Sequence, residues 1–260
     1  MYRKSQTPLV EFKSISKNFK NHCIFKNSSF EIYNQEIVGL IGKSGSGKST
    51  FLKILLGKAE LSSGKIIYNS QELLSKKERR SRLNLLSKKQ PNQVDDTQLQ
   101  IQEFTTFIGY VPQFTSSYEE LTVYQNIYFF AKINKVPYSK IKSRIKSVLR
   151  LVHLDTHENS LVKTISGGMK RRLELAIALV HEPKILILDE PFTGLDTKIK
   201  YELWNLLVKI KNSGVTIIIS THLLHSAQHF CDRFLVVNRQ KIQELSKSKS
   251  SNLEKLFLDL

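Results

Sequence analysis

A glycine-rich stretch near the amino terminus contains residue types that hold phosphate groups. It reads GKSGSGKS over residues 42–49 and fits the pattern G-x-x-x-x-G-K-[ST]. Glycines allow backbone N–H groups to turn inward around a β-phosphate, Lys48 can reach the β- and γ-oxygens, and the Ser49 hydroxyl is a ligand for Mg²⁺. A chance run of these residue types is the alternative, which a predicted strand before the stretch and a predicted helix after it disfavour. The candidate phosphate-binding residues are Gly42, Lys43, Ser44, Gly45, Ser46, Gly47, Lys48, Ser49 and Thr50.

Two acidic residues end an apolar stretch much later in the chain. The sequence KILILDE at 184–190 predicts a buried strand that carries Asp189 to its carboxyl end, with Glu190 next. Asp189 can then hold the Mg²⁺ shell, and Glu190 can orient or deprotonate an attacking water. An ordinary strand that ends in solvated acids is the alternative, but the phosphate loop favours the catalytic interpretation. The two motifs together predict a Mg²⁺–nucleotide site suited to hydrolysis.

A second glycine-rich helix start lacks the lysine that would complete a phosphate site. It reads TISGGMKRRLELAIAL over residues 164–179. The N-terminus of a helix has unpaired N–H groups and a positive dipole end, so this segment is also predicted to receive an anion. The residues themselves do not say where that anion comes from.

The elements that must position these residues alternate between strand and helix. Apolar alternation at 9–15 and 29–42 predicts antiparallel strands that lead to a buried strand at 36–41. Helix is expected from Lys48 to about Leu56, followed by further strands at 64–69 and 107–113.

The second half of the chain continues this alternation. Residues 121–152 predict two helices separated by Pro137, with Ser139 as the cap of the second. After the helix at 164–179 come helix 197–212, a short helix from Leu223, and strands 184–190, 215–220 and 233–238. This βαβ order implies a parallel sheet with helices on both faces.

Composition limits the function classes without selecting one. The net charge of +17 and a pI near 9.8 favour a polyanionic neighbour, either nucleic acid, an anionic membrane face or nucleotides, but a basic proteome is an equal alternative. Cys23 and Cys231 are too few for a disulfide framework or a zinc site, which indicates buried thiols and an intracellular chain. No apolar stretch approaches the ~20 residues that cross a bilayer, and the first residues do not resemble a signal peptide.

The order of the motifs resembles that of the ATP-binding cassette (ABC) ATPases over residues 9–244. The sequence ISGGM at 165–169 is similar to the LSGGQ-type signature, and PFTGLD at 191–196 resembles the D-loop. STH at 220–222 resembles the switch-histidine motif, and YVPQ ends in Gln113 as the glutamine loop of the family does. Phe19 lies where the family places an aromatic ring on adenine. SGGMKRRLEL and DEPFTGLD are similar to the ATPases of daunorubicin-type drug exporters, although Met169 and Phe192 depart from the usual glutamine and Ser or Thr.

The resemblance implies a head-to-tail pair of cassettes with ATP between them. Ser166, Gly167 and Gly168 would then bind the γ-phosphate held by the other protomer, and Asp196 would cross the interface. His222 and Glu190 would fix the attacking water, while Gln113 would join the Mg²⁺ shell. The expected catalytic residues are Glu190, His222 and Gln113, the Mg²⁺ ligands are Ser49, Gln113 and Asp189, and the ATP-binding residues are Phe19, the 42–50 loop, Ser166, Gly167, Gly168 and Asp196.

The expected fold is α/β: a P-loop NTPase core with a parallel sheet flanked by helices, an N-terminal antiparallel β subdomain and an inserted helical subdomain. A single ABC ATPase domain spans 1–260. Its parts are a nucleotide-binding core (9–69, 105–113 and 181–244), a polar insertion (70–104), a helical subdomain (114–180) and a tail (245–260).

The implied function is the ATPase subunit of a membrane transporter, an exporter, that acts at the cytoplasmic face on a separate permease. Aromatic residues on the 121–152 helices and the Gln113 loop would line the permease groove, or else belong to the core. The basic run Lys132–Arg150 would face anionic headgroups or solvent. The competing hypothesis is a cassette ATPase that acts on nucleic acid or ribosomes. The basic segment KKERRSR and the net charge favour this hypothesis. Nucleic acid is the less favoured partner because the chain has neither a second cassette nor a long coiled-coil insert.

Overall fold

Two β-sheets organise the protein in a computed structural model that describes residues 7–20, 22–69, 104–246 and Leu253. The larger sheet has six strands in the order β5-β6-β7-β3-β8-β9, and the smaller has three in the order β2-β1-β4. The strands are β1 (Val10–Phe19), β2 (His22–Ile32), β3 (Ile37–Ile41), β4 (Ser63–Tyr68), β5 (Ile108–Val111), β6 (Ile185–Asp189), β7 (Thr216–Ser220), β8 (Arg233–Asn238) and β9 (Lys241–Ser246).

Five neighbouring strands of the larger sheet run parallel, and only β9 is antiparallel to its neighbour β8. The inner strands are apolar along their whole length, as expected when helices or another sheet cover both faces. Successive residues alternate between two cores, so that Ile217 and Ile219 face one and Ile218 faces the other. The parallel α/β core predicted from the sequence is confirmed.

The antiparallel sheet and the first helix cover one face of the parallel sheet. Helix α1 (Lys48–Leu55) contributes Phe51, which packs against Phe12 and Phe30 with ring centroids 5.5 and 5.6 Å away. The six-stranded sheet also joins the smaller one directly, because Ile242 N–H donates a 2.9 Å hydrogen bond to Ser28 Oγ. This hydrogen bond holds β2 of the small sheet against β9, the edge strand of the larger sheet.

The helices that follow β5 form a subdomain between two adjacent strands. They are α2 (Val123–Ile133), α3 (Tyr138–Leu151) and α4 (Gly167–Leu179), and α4 leads back into β6, the partner of β5 in the sheet. The other face of the sheet also carries α5 (Thr197–Asn212) and the short α6 (Leu224–Phe230).

Helix α2 begins with a capping box between Thr122 and Gln125. The start of α3 differs from the sequence prediction in the residue that occupies the cap position. The prediction that Ser139 caps α3 is wrong, because the helix already begins at Tyr138 and Pro137 occupies the cap position. Proline has a fixed φ close to the helical value, so it starts the helix without a side-chain cap.

A buried ion pair ties the start of β3 to the start of β8. The Arg233 guanidinium contacts both carboxylate oxygens of Glu36 at 2.9 and 2.6 Å, and the two side chains are 1% and 5% exposed. Glu36 also accepts a hydrogen bond from Tyr33 N–H at 2.7 Å. Because each charge has its partner and further hydrogen bonds, the cost of burying the pair is offset.

Of the predicted polar insertion at 70–104, residues 70–103 lie outside the described residues, as does most of the predicted tail at 245–260. The rings of Tyr68 and Phe104, on either side of residues 70–103, are stacked with centroids 3.7 Å apart. Cys231 is buried as predicted, whereas Cys23 is only partly buried. Within the described ranges no helix is both long enough and apolar enough to span a bilayer.

Candidate functional site

The glycine-rich stretch forms the turn between β3 and α1. Gly47 precedes the first residue of α1 with φ 109°, a left-handed conformation that glycine adopts without strain. A Cβ atom at this position would lie 2.4 Å from Ile24 Cγ2 of β2, so the turn has no room for a side chain. The loop is therefore shaped by its glycines and supported from behind by the antiparallel sheet.

Lys48, the first residue of α1, turns its side chain back into this loop. Its ammonium group donates hydrogen bonds to the carbonyl oxygens of Gly42 and Lys43 at 2.8 and 3.2 Å. Burial lowers the pKa of Lys48, and the charges of Glu190 and Asp189 oppose that shift. The buried lysine and the two acids thus share one electrostatic environment, although they are far apart in the sequence.

The two acids lie at the carboxyl end of β6, and Ser220 at the end of the adjacent β7 holds both. Ser220 Oγ donates a 2.6 Å hydrogen bond to Asp189 Oδ1 and accepts a 2.9 Å bond from the backbone N–H of Glu190. Ser220 is fully buried, so water does not compete for the two hydrogen bonds of its hydroxyl group. The sequence analysis missed Ser220 as an orienting residue, although it is the first letter of the STH motif.

The carboxylate of Glu190 contacts the imidazole of His222. Nε2 of His222 lies 2.9 Å from Oε1 of Glu190, and their side chains are 55% and 14% exposed. Burial raises the pKa of Glu190 and Asp189 adds to the shift, while His222 and Lys48 oppose it. A carboxylate whose pKa is raised is a stronger base than an exposed one, and such a group can accept a proton from water.

The loop has features that a phosphate group and a hard cation would satisfy. Ser46 Oγ is buried and lacks a hydrogen-bond partner among the described residues. The hydroxyl of Ser49 and the carboxylate of Asp189 are hard oxygen donors, which Mg²⁺ prefers. No cluster of three or more His, Cys, Asp or Glu side chains that could hold a metal occurs in the described ranges.

Two further predicted residues lie at strand ends on the surface. Phe19 ends β1, is 50% exposed, and has the ammonium of Lys17 4.4 Å from its ring centroid. Gln113 follows β5, the neighbour of β6, and is exposed. No hydrogen bond between Gln113 and the residues around Asp189 occurs within the described structure.

Among the described residues, no hydrogen bond joins the second glycine motif to the phosphate loop. Ser166 caps α4 by accepting a 3.2 Å hydrogen bond from Met169 N–H, and Gly167 faces open space. A Cβ on Gly168 would lie 3.0 Å from Ile199 of α5, and Asp196 caps that helix through Ile199 N–H at 2.9 Å. Ser166, Gly167, Gly168 and Asp196 therefore belong to a neighbouring pair of helix starts, α4 and α5.

One departure from the family pattern has a packing explanation. Phe192 is 3% exposed, and its ring lies 4.5 Å from that of Trp204, measured between centroids. The Trp204 ring in turn stacks on Phe230 at 5.1 Å. Phe192 therefore fills the core under the segment that follows Glu190.

Two buried charges on α4, Arg171 and Glu174, were not identified from the sequence. Arg171 donates to the carbonyl oxygens of Pro191 and Pro112, both at 2.7 Å, and Glu174 accepts from Ser116 N–H, Ser116 Oγ and Ser117 N–H at 3.0, 2.6 and 3.0 Å. They are 7% and 1% exposed. We call this pair the α4 clamp, because it fixes the segment around Gln113 from both sides. The run SGGMKRRLEL contained both residues, but charge on a predicted helix does not indicate burial.

Comparison with known proteins places these features in one family. The sequence model described as "ABC transporter" matches residues 25–193, well over half of the chain. The chain is 34% identical over 228 residues to Nod factor export ATP-binding protein I of Rhizobium sp. (strain N33). The aligned residues cover 88% of this chain and 67% of that relative. It is 33% identical over 238 residues to the spermidine/putrescine import ATP-binding protein PotA of Clostridium novyi, covering 91% of this chain and 61% of the relative.

A longer relative and a solved structure agree with this. ABC transporter G family member 20 of Dictyostelium discoideum is 30% identical over 257 residues, but the chain spans only 32% of its length. The structure of CbiO1 from Clostridium perfringens, described as part of the ABC transporter complex CbiONQ, superposes with a TM-score of 0.78 at 26% identity, covering 95% of this chain and 92% of that one. The chain therefore belongs to the ABC transporter family and is an ATP-binding ATPase of that family.

Proposed function

We propose that the protein hydrolyses ATP to drive a separate integral-membrane permease, as an exporter, from the cytoplasmic face of a membrane. One observation carries the proposal. The chain has two anion-binding ends, the phosphate loop at 42–50 and the Ser166-capped start of α4, and no hydrogen bond joins them among the described residues. Two copies, or this chain and another cassette, bring one end of each type to every ATP when they pair head to tail.

In this proposal the chain's own residues divide the chemistry. Lys48 exchanges its two carbonyl partners for β- and γ-phosphate oxygens, which compensate its buried charge better than neutral carbonyls do. The N–H groups of residues 43–50 surround the phosphates, and the ring of Phe19 stacks on adenine. When bound through Ser49, Asp189 and Gln113, Mg²⁺ neutralises charge on the phosphate oxygens.

Glu190 acts as the general base. Its raised pKa makes it a stronger base than an exposed carboxylate, and it takes a proton from the water that attacks the γ-phosphate. His222 lies 2.9 Å away and holds that carboxylate and the γ-phosphate in position. Ser220 keeps Asp189 and the backbone of Glu190 aligned during the reaction.

The partner protomer completes the site. Ser166, Gly167 and Gly168 at the start of α4 donate to the γ-phosphate that the other chain holds, where the positive end of the helix dipole adds attraction. Asp196 contacts the partner from the start of α5. Loss of the γ-phosphate removes the group that bridges the two chains, so the pair opens after hydrolysis.

The permease docks beside the glutamine loop. Large apolar side chains are exposed there, with Phe114 80%, Tyr118 50% and Phe129 38% exposed, and Tyr118 packs edge-on against Phe129 at 5.1 Å. Exposed aromatic residues of this kind favour a protein partner. The motifs shared with drug exporters and the similarity to a Nod factor export protein support export, while the similarity to an import protein makes the direction of transport the point to test.

The test is to identify what the ATP-bound protein accompanies in its native cell. A tagged Glu190→Gln variant is fractionated with ATP, with Lys48→Ala as the variant that cannot bind nucleotide. Release from the membrane pellet by detergent, together with a multi-spanning protein, supports the proposal, and the identity of that protein gives the direction of transport. A variant that never sediments with membranes contradicts it.

Nucleic acid is the second candidate partner, favoured by the net charge of +17 and by the basic segment KKERRSR at 76–82. If ribonuclease rather than detergent releases the protein, together with ribosomal proteins, the function moves to that class. In that case RNA binding must weaken steeply with salt, because Lys and Arg displace counterions from phosphates.

A further inference from the structure

The strongest feature outside the nucleotide site is a band of positive charge on the helical subdomain, in which only Arg144 has an ion-pair partner among the described residues, Glu182 at 2.8 Å. Residues 121–154 contain seven Lys or Arg and no Asp or Glu. The acids just before this segment are already paired, Glu119 with Lys170 and Glu120 with Lys163, each at 2.7 Å. They do not neutralise the band.

Helix α3 gathers part of this charge into a row. Tyr138, Lys142, Lys146 and Arg150 follow one another at intervals of four residues, so they lie along one side of the helix over about 18 Å. All four are exposed, and Tyr138 is 76% exposed. We call these four residues the basic stripe.

The basic stripe is not needed to hold α3 in place. The helix packs through its other side, where Ile141, Ile145 and Val148 are at most 2% exposed. Arg144, the one basic residue of α3 that is largely buried, makes the structural contacts instead. It donates to the carbonyl oxygens of Leu179 and Val180 at the end of α4, both at 3.2 Å.

Like charges four residues apart destabilise a helix by a few tenths of a kcal/mol for each pair. Lys142, Lys146 and Arg150 have no ion-pair partner in the described part of the chain, and Asp155 and Glu158 follow only after the helix has ended. The row therefore costs the helix a little stability and supports no packing, and an external anion bound along it would offset that cost.

The stripe continues toward the surface where the permease is proposed to dock. The ammonium of Lys132 on α2 lies 5.4 Å from the centroid of the Tyr138 ring, and Ile133 beside it is 58% exposed. Ile133 is one helical turn from Phe129, the exposed aromatic of that surface. Basic residues with an exposed aromatic and an aliphatic side chain at their edge are typical of proteins that lie on a bilayer.

We propose that the basic stripe, together with Lys132, binds the anionic headgroups of a phospholipid bilayer. The charges are spread over a convex helix side rather than collected in a pocket, and most are lysines, which act as point charges on flexible stems. This suits many mobile phosphate groups better than a single carboxylate or phosphate ligand. Lipid binding would orient the ATPase at the membrane beside the permease, and it can be measured without the permease.

The test is flotation of the purified full chain with vesicles. One set contains phosphatidylcholine alone, and in the other about a third of the lipid is phosphatidylglycerol. The protein is expected to float only with the anionic vesicles and to be released by salt. Each basic residue near the surface contributes about a fivefold gain in partitioning, so the triple variant Lys142→Gln, Lys146→Gln, Arg150→Gln is expected to bind about a hundredfold more weakly.

A matched variant removes the same charge elsewhere. Lys65→Gln, Lys184→Gln, Lys209→Gln changes three exposed lysines outside α3 and is expected to bind as the unchanged protein does. Equal loss in both triple variants would mean that net charge alone attracts the protein, which overturns the stripe. Binding of single-stranded RNA through the stripe, without binding to anionic vesicles, would also overturn the proposal and favour nucleic acid.

The ATPase rate keeps this test separate from the proposed function. The stripe lies outside the nucleotide site, so the triple stripe variant is expected to hydrolyse ATP at the unchanged rate in solution. A normal rate with lost flotation supports lipid binding by a folded protein. Flotation that persists in the stripe variant contradicts the lipid proposal, whatever the permease experiment gives.

Discussion

Nε2 of His222 lies 2.9 Å from Oε1 of Glu190, and this contact joins the ends of two neighbouring strands, β6 and β7. Glu190 has φ 45°, a left-handed conformation that is uncommon outside glycine. Its backbone N–H is held by Ser220 at 2.9 Å. The backbone conformation of Glu190 and the imidazole of His222 thus both fix the position of the Glu190 carboxylate. Its role can be tested by replacing Glu190 or His222.

Replacing Glu190 with Gln is expected to lower kcat for ATP hydrolysis by at least ~10²-fold, because the amide cannot accept a proton. Binding of ATP is expected to persist, and the ATP-bound form is expected to accumulate as a dimer. Steady-state ATPase rates and size-exclusion chromatography with ATP measure the two effects. Glu182→Gln is the control, because that carboxylate is exposed and contacts Arg144 rather than the site. A variant that stays monomeric at saturating ATP contradicts the head-to-tail arrangement.

The pH profile of kcat should report the raised pKa of Glu190. Only the deprotonated carboxylate can act as a base, so the rate falls as pH decreases through its pKa, and that fall is expected above the ordinary value of 4.5. Because His222 lowers the pKa of Glu190, His222→Ala is expected to move the acid limb to still higher pH besides reducing the rate. An acid limb that does not move in this variant would show that the two groups do not interact during turnover.

Lys48→Ala is expected to weaken ATP binding by at least about a hundredfold, since it removes the buried cation that faces the phosphates. Titration calorimetry with ATP measures the loss. Lys53→Ala lies on the same helix with its side chain exposed, and it should bind ATP normally. Circular dichroism should remain unchanged in both variants. Tight ATP binding by Lys48→Ala would refute the phosphate-loop assignment.

The α4 clamp can be tested as a pair of coupled contacts. Glu174→Gln keeps one acceptor for the three hydrogen bonds from Ser116 and Ser117, and it is expected to lower the free energy of unfolding by about 1–3 kcal/mol. A double-mutant cycle with Ser116→Ala should give a coupling energy of about 0.5 kcal/mol or more. Urea denaturation measures both quantities, and Ser143→Ala on the exposed side of α3 is the control. Additive effects would mean that the clamp does not act through Ser116.

The buried pair of Glu36 and Arg233 should be costly to break. Glu36→Gln leaves the buried guanidinium with only the partly exposed carboxylate of Glu244, 3.0 Å from its Nη1, and a loss of about 3 kcal/mol in unfolding free energy is expected. Glu120→Gln breaks the ion pair between Glu120 and Lys163. Because the Glu120 side chain is 79% exposed, this variant should lose less than about 1 kcal/mol of unfolding free energy. Chemical denaturation of the two variants compares buried with exposed ion pairs in one protein. Similar losses of unfolding free energy in the two variants would mean that the buried pair contributes no more to stability than an exposed one.

The sequence predicted the elements whose signals are local. Residues 42–49 contained the loop and its lysine in one pattern, and the apolar run at 184–190 predicted both the buried strand β6 and the acids at its end. Helix α5 has the predicted bounds of 197–212 because Asp196 caps its start. These features depend on neighbours along the chain, and so they are visible in the sequence.

The contacts that orient the site depend on neighbours in space. Ser220 could be identified as part of a motif, but its hydrogen bond to Asp189 requires knowing that β6 and β7 are adjacent and in register. The burial of Arg171 and Glu174 likewise depends on how α4 packs against the glutamine loop. Ser139 failed as a cap for a local reason, because Pro137 already occupies the cap position two residues earlier.

The helical subdomain leaves the sheet at β5 and returns at β6, and these two strands are hydrogen-bonded neighbours. The subdomain also shares one apolar core with α5 and the sheet, so it is not joined to the sheet by these two strands alone. Arg171 on α4 donates hydrogen bonds to Pro112 and Pro191, which neighbour Gln113 and Glu190 in the chain. A displacement of α4 would therefore act directly on the two strand ends that carry the glutamine loop and the acids.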